Sequence, residues 1–562
     1  MLTLMIIITV AILLTAYLSY GKFLSRYLDL NNACPTPACR INDGDNFVPA
    51  KAALLLGQHF SAIAAAGPIV GPILAGIWFG WLPALLWIVL GSIFIGGVHD
   101  FSSLVASIRY KAASIAEIVR GNMSRTSYLL FLIFVWFCLV YVIIAFTDIT
   151  AQTFKTVTAS MAFGPGVAAS SFLYILAAMI LGILLYKAKL NITIGTVIFV
   201  PVVLFIVWLG PRLPEPMLSF LATIPVKQWD IFLLAYCCIA SIIPMWLLLQ
   251  PRGYLGGWLL YLTILIGLIG TLFGGFEIQY PAWNLDGLKS LANGKMILPI
   301  LFITVACGAC SGFHSIVSSG TTSKQLARES DARLVGYGAM LLEGLVAVLA
   351  LATVMILPLG SQALNADPNL VYANGIARYL GLLGVGFNIA FPFALLAFST
   401  FVYDTLDVCT RLGRYIFQEI FGLNTRAGGI IATLATLTFP LIFLMLTEEK
   451  GYLVAWPIFG TSNQLLAGLT LLAISVWLVK SGKNAIYTII PMIFMLAMTL
   501  WSLVLQILPF VKLLPDWITG TVIKTDIIIS GILGLVLLAL SLALLVETFN
   551  VLVLKRGTIK NS

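Results

Sequence analysis

The sequence predicts an all-α polytopic membrane protein of about fifteen transmembrane helices. Three observations carry this. Of 562 residues, 60% are hydrophobic and 9% charged, where a soluble domain has about half and about a quarter. Apolar runs of the roughly 20 residues that cross the hydrocarbon recur from one end of the chain to the other. Lys and Arg also alternate between dense and sparse in successive loops, as membrane topology requires. The longest stretch without such a run, near residues 21 to 49, is far below the roughly 100 residues of an ordinary soluble domain.

On that ruler the spans fall near residues 2 to 20, 50 to 76, 81 to 107, 127 to 155, 170 to 187, 192 to 210, 231 to 249 and 253 to 275. They continue near 297 to 320, 335 to 358, 385 to 416, 428 to 446, 456 to 481, 485 to 511 and 526 to 554. The first run lacks the basic start and the small-residue cleavage site of a secretory signal before Lys22, so it reads as a helix that stays. Of the 31 Lys and Arg residues, 22 follow odd-numbered spans and 9 follow even-numbered ones. The odd loops are therefore predicted to be cytoplasmic, with the N-terminus outside and the C-terminus, carrying Lys555, Arg556 and Lys560, inside. The same asymmetry accounts for the net charge of +9 without nucleic acid as a partner. Of eight cysteines, Cys237, Cys238, Cys307 and Cys310 lie inside apolar runs, and Cys34 and Cys39 sit in the first, cytoplasmic loop, where thiols stay reduced.

Span 2 reads Gly57-Gln58-His59-Phe60-Ser61, then three alanines, then Gly67-Pro68-Ile69-Val70-Gly71-Pro72. Each proline removes a donor and clashes one turn back, and broken backbone at that depth is tolerated only in protein or beside a cavity. A simple kink needs one proline; two Gly-Pro pairs point to a cavity-lining break. A second break is expected in span 7, at Ser241-Ile242-Ile243-Pro244-Met245-Trp246, and again after Gln250-Pro251-Arg252-Gly253. Broken helices 2 and 7, five apart and inverted, are the layout of a LeuT-like five-plus-five inverted-repeat core. The chain then divides into an N-terminal helix and loop (1–49), a core (50–420, with repeats at about 50–210 and 231–416) and additional helices (428–562).

Span 9 carries a polar stripe of Cys307, Cys310, Ser311, His314, Ser315, Ser318, Ser319 and Thr322, mostly at three- and four-residue steps and hence on one face. Small and hydroxylic residues also serve plain helix packing. All three histidines, His59, His99 and His314, fall within spans, His99 beside Asp100. Ionisable groups in a membrane are costly and mark ion or proton paths. Other intramembrane acids are Asp148, Glu343, Asp404 and Asp407; Asp407 and Arg411 read as an i,i+4 ion pair, which leaves Asp404 as the functional candidate.

These segments resemble the carbon starvation protein A family over most of residues 35 to 480. The resemblance rests on Thr36-Pro37-Ala38, Asp43-Gly44, Phe47-Val48-Pro49, His59-Phe60 through Pro72, Gly96-Gly97-Val98-His99-Asp100, Ser114-Ile115-Ala116-Glu117, Pro251-Arg252-Gly253-Tyr254-Leu255, Gly312-Phe313-His314-Ser315 and Trp456-Pro457-Ile458-Phe459-Gly460. It implies kinship with the amino acid-polyamine-cation transporters and transport of peptides or pyruvate when carbon runs short. The chain is shorter than the larger members and carries its own Cys34 and Cys39 pair.

The expected function is import of a small carboxylate-bearing nutrient by alternating access across the plasma (inner) membrane. The substrate is expected near the midplane between spans 2 and 7, where half-helix N-termini favour a carboxylate. Candidate substrate residues are Gln58, His59, Ser61, Gly67, Pro68, Gly71 and His314, with Trp246 covering the pocket. Candidate coupling residues are His99, Asp100, Ser315, Ser318, Ser319, Thr322 and Asp404. No cofactor is expected beyond a coupling ion, with a proton favoured and sodium the alternative, since hydroxyl oxygens suit hard cations; no other metal is assigned. The expected partners are the small-molecule substrate and the bilayer, with oligomeric state left open. A sodium-coupled amino acid or peptide transporter is the nearest rival, and a channel or nutrient sensor the rival of another class. No His-Glu-x-x-His, Gly-x-Ser-x-Gly or phosphate-loop pattern supports an enzyme.

Overall fold

The computed structural model describes residues 1–43, 47–157, 162–423, 425–448, 450–518 and 525–553; the basic C-terminal residues Lys555, Arg556 and Lys560 lie outside them. Among the described residues, 12 helices are long and apolar enough to cross a membrane, or up to 14 if two bent pairs each count as one span. The main helices of the first half are α1 (Leu2–Leu18), α2 (Ala52–Ile63), α3 (Gly67–Phe79), α4 (Trp81–Arg109), α5 (Arg125–Phe154), α6 (Gly164–Tyr186), α7 (Ile192–Leu209), α8 (Val226–Ile242) and α9 (Leu249–Phe273). The second half has α10 (Ile297–Thr304), α11 (Phe313–Val317, prolonged by a π turn at Ser318–Thr322), α12 (Ala339–Met355), α13 (Pro368–Gly381), α14 (Phe387–Phe421), α15 (Arg426–Leu446), α16 (Tyr452–Lys480), α17 (Ile486–Ile518) and α18 (Thr525–Val553). The apolar windows of α14 and of the span ending in α12 are each 94% buried, against 28% for those of α1 and α7. Large side chains such as Val197, Phe205 and Ile490 are left exposed on the outer helices, as lipid-facing surface requires.

Span 2 is broken as expected, with α2 and α3 meeting at 50°, but the break lies three residues earlier than the Gly-Pro pairs. Residues 64–66 form the junction, and Gly67-Pro68 starts α3. Proline in the first turn lacks a donor that would be unsatisfied anyway, so it begins a helix rather than breaking one. The glycines serve close approach instead. A Cβ on Gly67 would lie 2.4 Å from Cys307 Sγ, and one on Gly71 2.3 Å from the Thr304 carbonyl oxygen.

The expected break in span 7 is corrected by the structure. Helix α8 ends at Ile242, residues 243–248 form a turn, and α9 starts at Leu249. Pro251 falls in the first turn of α9, where it is tolerated. The end of α8 is held from outside: Arg411 Nη2 donates to the carbonyls of Ala240 (2.8 Å) and Ile243 (2.6 Å), and Arg414 Nη1 to that of Ser241 (2.7 Å). These are the orphan carbonyls of a helix C-terminus. Arg411 is therefore a helix cap and not the partner of Asp407.

The second interruption lies in the span expected at 297 to 320. Between Thr304 and Phe313 the backbone is irregular, so neither half passes as a crossing helix. Exposed amides and carbonyls at that depth each cost several kcal/mol unless protein satisfies them. One residue of α16 does most of this: Asn463 accepts from the Phe313 amide with its side chain (2.9 Å) and from the Gly312 amide with its backbone (3.0 Å), and its Nδ2 donates to Ser311 Oγ (3.0 Å). Trp87 Nε1 donates to the Val305 carbonyl (3.2 Å), and Gln464 Nε2 to that of Phe302 (2.5 Å). Close packing completes the joint, with a Cβ on Gly308 2.6 Å from the Ala347 side chain. The two broken segments thus cross each other, Gly67 on Cys307 and Gly71 on Thr304.

Asn463→Ala should lower stability by about 1–3 kcal/mol by stranding the Phe313 amide, read as a fall in the thermal midpoint of the detergent-purified protein. Gly381→Ala, with nothing within 4 Å of the added carbon, should leave that midpoint in place. Equal midpoints for both variants would remove Asn463 from this role.

Candidate functional site

Two buried charged clusters flank the crossing. The first centres on Arg252 in the opening turn of α9, with no exposed surface. Its Nη1 lies 2.5 Å from Asp407 Oδ2, and its Nη2 3.9 Å from Asp404 Oδ1. Both aspartates come from α14. Tyr236 of α8 donates to Asp407 Oδ2 at 3.0 Å and also meets Arg252 Nη1. Ser61 donates to Asp404 Oδ2 at 2.8 Å, and Tyr174 to the Arg252 carbonyl at 2.7 Å. The guanidinium carbon sits 5.9 and 5.7 Å from the ring centres of Tyr236 and Tyr403, close enough for cation–π attraction. Arg252 Nε and Nη2 nevertheless have no hydrogen-bond acceptor.

The second cluster joins three expected residues and one more. Asp100 of α4 bridges two histidines, with Oδ1 2.7 Å from His99 Nδ1 and Oδ2 2.7 Å from His314 Nδ1. The other nitrogen of His314, Nε2, is 3.2 Å from Glu343 Oε2 of α12. All four side chains are fully enclosed. His59 of α2 stands between the clusters: its Nδ1 is 2.8 Å from Thr322 Oγ1, and Asp100 and His314 are within electrostatic reach.

A cavity of about 20 Å³, room for about one water, lies at the end of α2 and is lined by Gln58, His59, Met245, Gly253, Thr322 and Asp404. It shares the wall residues Met245, Leu249, Thr321, Gln325 and Val408 with a vestibule of about 820 Å³. The vestibule reaches Arg120, Lys324 and Arg411, at the end of the molecule where Lys and Arg are dense.

Gln58, His59, Ser61, Thr322 and Asp404 are thus brought to one place, and His99, Asp100 and His314 to a second. Gly67, Pro68 and Gly71 are packed in the crossing and line neither cavity. Trp246, expected to cover the pocket, faces away: its ring lies 5.8 Å from that of Tyr186 and 5.4 Å from Lys187 Nζ. Ending α8 at Ile242 turns Trp246 outward and leaves Met245 as the cover. The hydroxyls of α11 do not converge on one point. Ser315 bonds the Gly312 carbonyl (2.7 Å) and Thr470 (3.2 Å), Ser319 bonds the Ser315 carbonyl (2.7 Å) and the Ile115 amide (3.1 Å), and Ser318 Oγ has no partner. Asp148 accepts from the Tyr452 amide (2.7 Å) at the start of α16, as a helix cap does. Cys34 and Cys39 are exposed free thiols.

The sequence alone did not single out Arg252 and Glu343, which the structure places in the two buried clusters. Arg252 fell in a presumed short loop at 250 to 252; an arginine between two strongly apolar runs was the available signal.

The chain matches the family "Carbon starvation protein CstA" over residues 1–378 and 360–502. It is 32% identical over 565 residues to a peptide transporter CstA of Helicobacter pylori, covering 88% of this chain and 80% of that one. It is 30% identical over 591 residues to the pyruvate/proton symporter BtsT of Escherichia coli, covering 89% and 81%. A solved manganese transporter of Eremococcus coleocola superposes with a TM-score of 0.46 at 15% identity over 91% of this chain and 98% of that one, too loose a match to transfer any residue.

Removing Arg252 takes from Asp404 and Asp407 the cation they share and leaves only the more distant Arg411 beside Asp407, so Arg252→Ala should cost about 3–5 kcal/mol. In detergent this appears as a large drop in thermal midpoint or loss of the monodisperse species. Adding Asp407→Asn should recover part of the loss; a double variant no better than the single one would exclude charge imbalance as the cause.

Proposed function

Because the chain belongs to the carbon starvation protein CstA family of membrane transporters, we propose that it is a secondary active importer of a small carboxylate-bearing nutrient, pyruvate or a short peptide, working by alternating access with a proton as the coupling ion. The observation that carries this reading is the inner cavity at the α2–α3 break, walled by His59 and Asp404 and joined through a thin wall to one large vestibule. A small inner cavity bordered by a wide vestibule suits alternating access, in which the site opens to one side at a time. The names of the two relatives favour peptide and pyruvate, and that of the symporter favours the proton. Two sets of enclosed ionisable groups are suited to hold that proton: His99, Asp100, His314 and Glu343, each within ion-pair distance of the next, and Asp404 on the inner cavity.

The architecture we infer is a LeuT-like inverted repeat with boundaries other than 50–210 and 231–416. Its first repeat is α2–α3, α4, α5, α8 and α9, and its second is α10–α11, α12, α14, α15 and α16, with α6 and α7 inserted in the first and the short α13 in the second. Reciprocal packing supports this pairing. Contact of α2 with α9 is matched by that of α10 with α16, α3 with α12 by α11 with α4, and α5 meets α14 as α8 meets α15. The helices α1, α17 and α18 are then additions. The Lys and Arg bias supports an outside N-terminus in the inner membrane, with the vestibule on the cytoplasmic side.

Uptake of labelled pyruvate and of a labelled dipeptide into proteoliposomes, under a proton or a sodium gradient imposed separately, tests the reading. Proton-driven accumulation of one solute, reduced at least about tenfold by His314→Ala, is the expected result. Accumulation driven only by sodium and lost in Ser318→Ala would move the coupling to α11, and no accumulation of either solute would refute the substrate class.

A further inference from the structure

We propose that Arg252 is the anchor for the substrate carboxylate and that Asp404 is its displaceable stand-in, so that one proton enters on Asp404 for each monocarboxylate bound. The proposal rests on the transport reading above and names the group that receives the substrate.

The argument starts from an arginine that is built in but not used up. A fully buried guanidinium needs acceptors for its N–H groups, because an unmet donor in a dry site costs about as much as a lost hydrogen bond. Asp407 takes Nη1 at 2.5 Å. Asp404 stands 3.9 Å from Nη2, too far for a hydrogen bond, and Nε and Nη2 are left open. The guanidinium fork matches a carboxylate edge on, so the open pair of donors has the shape of a missing carboxylate.

Asp404 also stands in the right place. It lines the inner cavity, as does Gly253, whereas Arg252 does not. Asp404 therefore screens Arg252 from anything arriving through the vestibule. Gly253 leaves it little slack: a Cβ there would be 3.3 Å from both Asp404 oxygens. A substrate carboxylate can pair with Arg252 only by taking the place Asp404 now holds.

Charge decides what must accompany it. Among the described residues, the ionisable groups facing Asp404 are Arg252 of α9, Asp407 on α14 itself, His59 of α2 across the cavity and Tyr174 of α6, and Arg411 of α14 reaches Asp407 from beyond it. With His59 and Tyr174 neutral, the resting site balances two cations, Arg252 and Arg411, against two anions, Asp404 and Asp407. Adding a monocarboxylate alone would leave one buried anion uncompensated, which a low-dielectric site strongly opposes. If Asp404 gains a proton from the aqueous side as the anion enters, the balance stays at two positive and two negative, and the new acid O–H keeps a partner within the site. The anion and the proton leave together on the other side, when Asp404 gives its proton up and returns to Arg252.

The test is calorimetric titration of the detergent-purified full chain with pyruvate in buffers of different ionisation enthalpy, which reads protons taken up on binding without requiring transport. Wild type should take up about one proton per pyruvate and weaken about tenfold per pH unit on the alkaline side. Asp404→Asn, which mimics the protonated acid, should take up none, lose the pH dependence and bind more tightly than wild type at alkaline pH. Arg252→Lys, keeping the charge without the fork, should weaken binding at least about tenfold with the thermal midpoint showing that it is folded. Proton uptake that survives in Asp404→Asn, or unchanged affinity in folded Arg252→Lys, overturns the proposal. Proton-linked binding without accumulation in vesicles would instead refute the transport reading and leave this site standing, while a wild type that binds neither pyruvate nor a dipeptide in the same titration would overturn both.

Discussion

Hydrocarbon supplies no hydrogen bonds, so a helix interrupted at membrane depth can exist only where another part of the chain supplies them. The stretch between α10 and α11 meets that condition through α16 and α4. Asn463 serves the Gly312 and Phe313 amides, Gln464 the Phe302 carbonyl and Trp87 the Val305 carbonyl. Take these away and the stretch would close into helix, α10 and α11 would become one rod, and the glycine face of α3 would have no unwound segment to rest on. The inner cavity exists because α2 stops where it does, and α2 stops there because α3 is committed to that crossing.

Buried charge supplies what apolar packing cannot. Lipid tails are as apolar as leucine, so burial alone does little to tell one helix pairing from another in a bilayer. An ion pair in such surroundings does. Arg252 ties α9 to α14, Asp100 ties α4 to α11, and His314 continues the chain to Glu343 on α12. Each link joins segments far apart in sequence, and each leaves a costly orphan if its partner is misplaced. The same residues that give the site its chemistry therefore also specify which helices become neighbours.

Composition and the 20-residue ruler were enough to find nearly every crossing segment, because hydrophobic length is a local property. The exception is instructive. Pro244 and Pro251 both read as breakers in span 7, yet one sits in a turn and the other in a first helical turn; local sequence does not distinguish a helix that ends from one that pauses. The true second interruption has no proline within it. It is held open by Asn463, about 150 residues away in the chain, and a lone asparagine in an apolar run gives no hint of what it will face. His99, Asp100 and His314 were legible as candidates because intramembrane ionisable groups are expensive wherever they occur, whereas Glu343's approach to His314 and Arg252's place inside the protein depend on tertiary structure. Trp246 shows the opposite error: a residue chosen for its type and position along the chain, then turned aside by the end of α8.

Where α3 crosses the α10–α11 junction, Gly71 meets a backbone carbonyl and Gly67 a short thiol side chain. Contacts of this sort have few rotamers to adjust and little slack to absorb strain. The crossing acts as a fulcrum with stiff bearings: α2, 12 residues long and so about 18 Å, is the lever arm on one side, and α3 is the arm on the other. Any tilt of α2 relative to α3 would have to turn about this point, because it is where the pair has least room to shift.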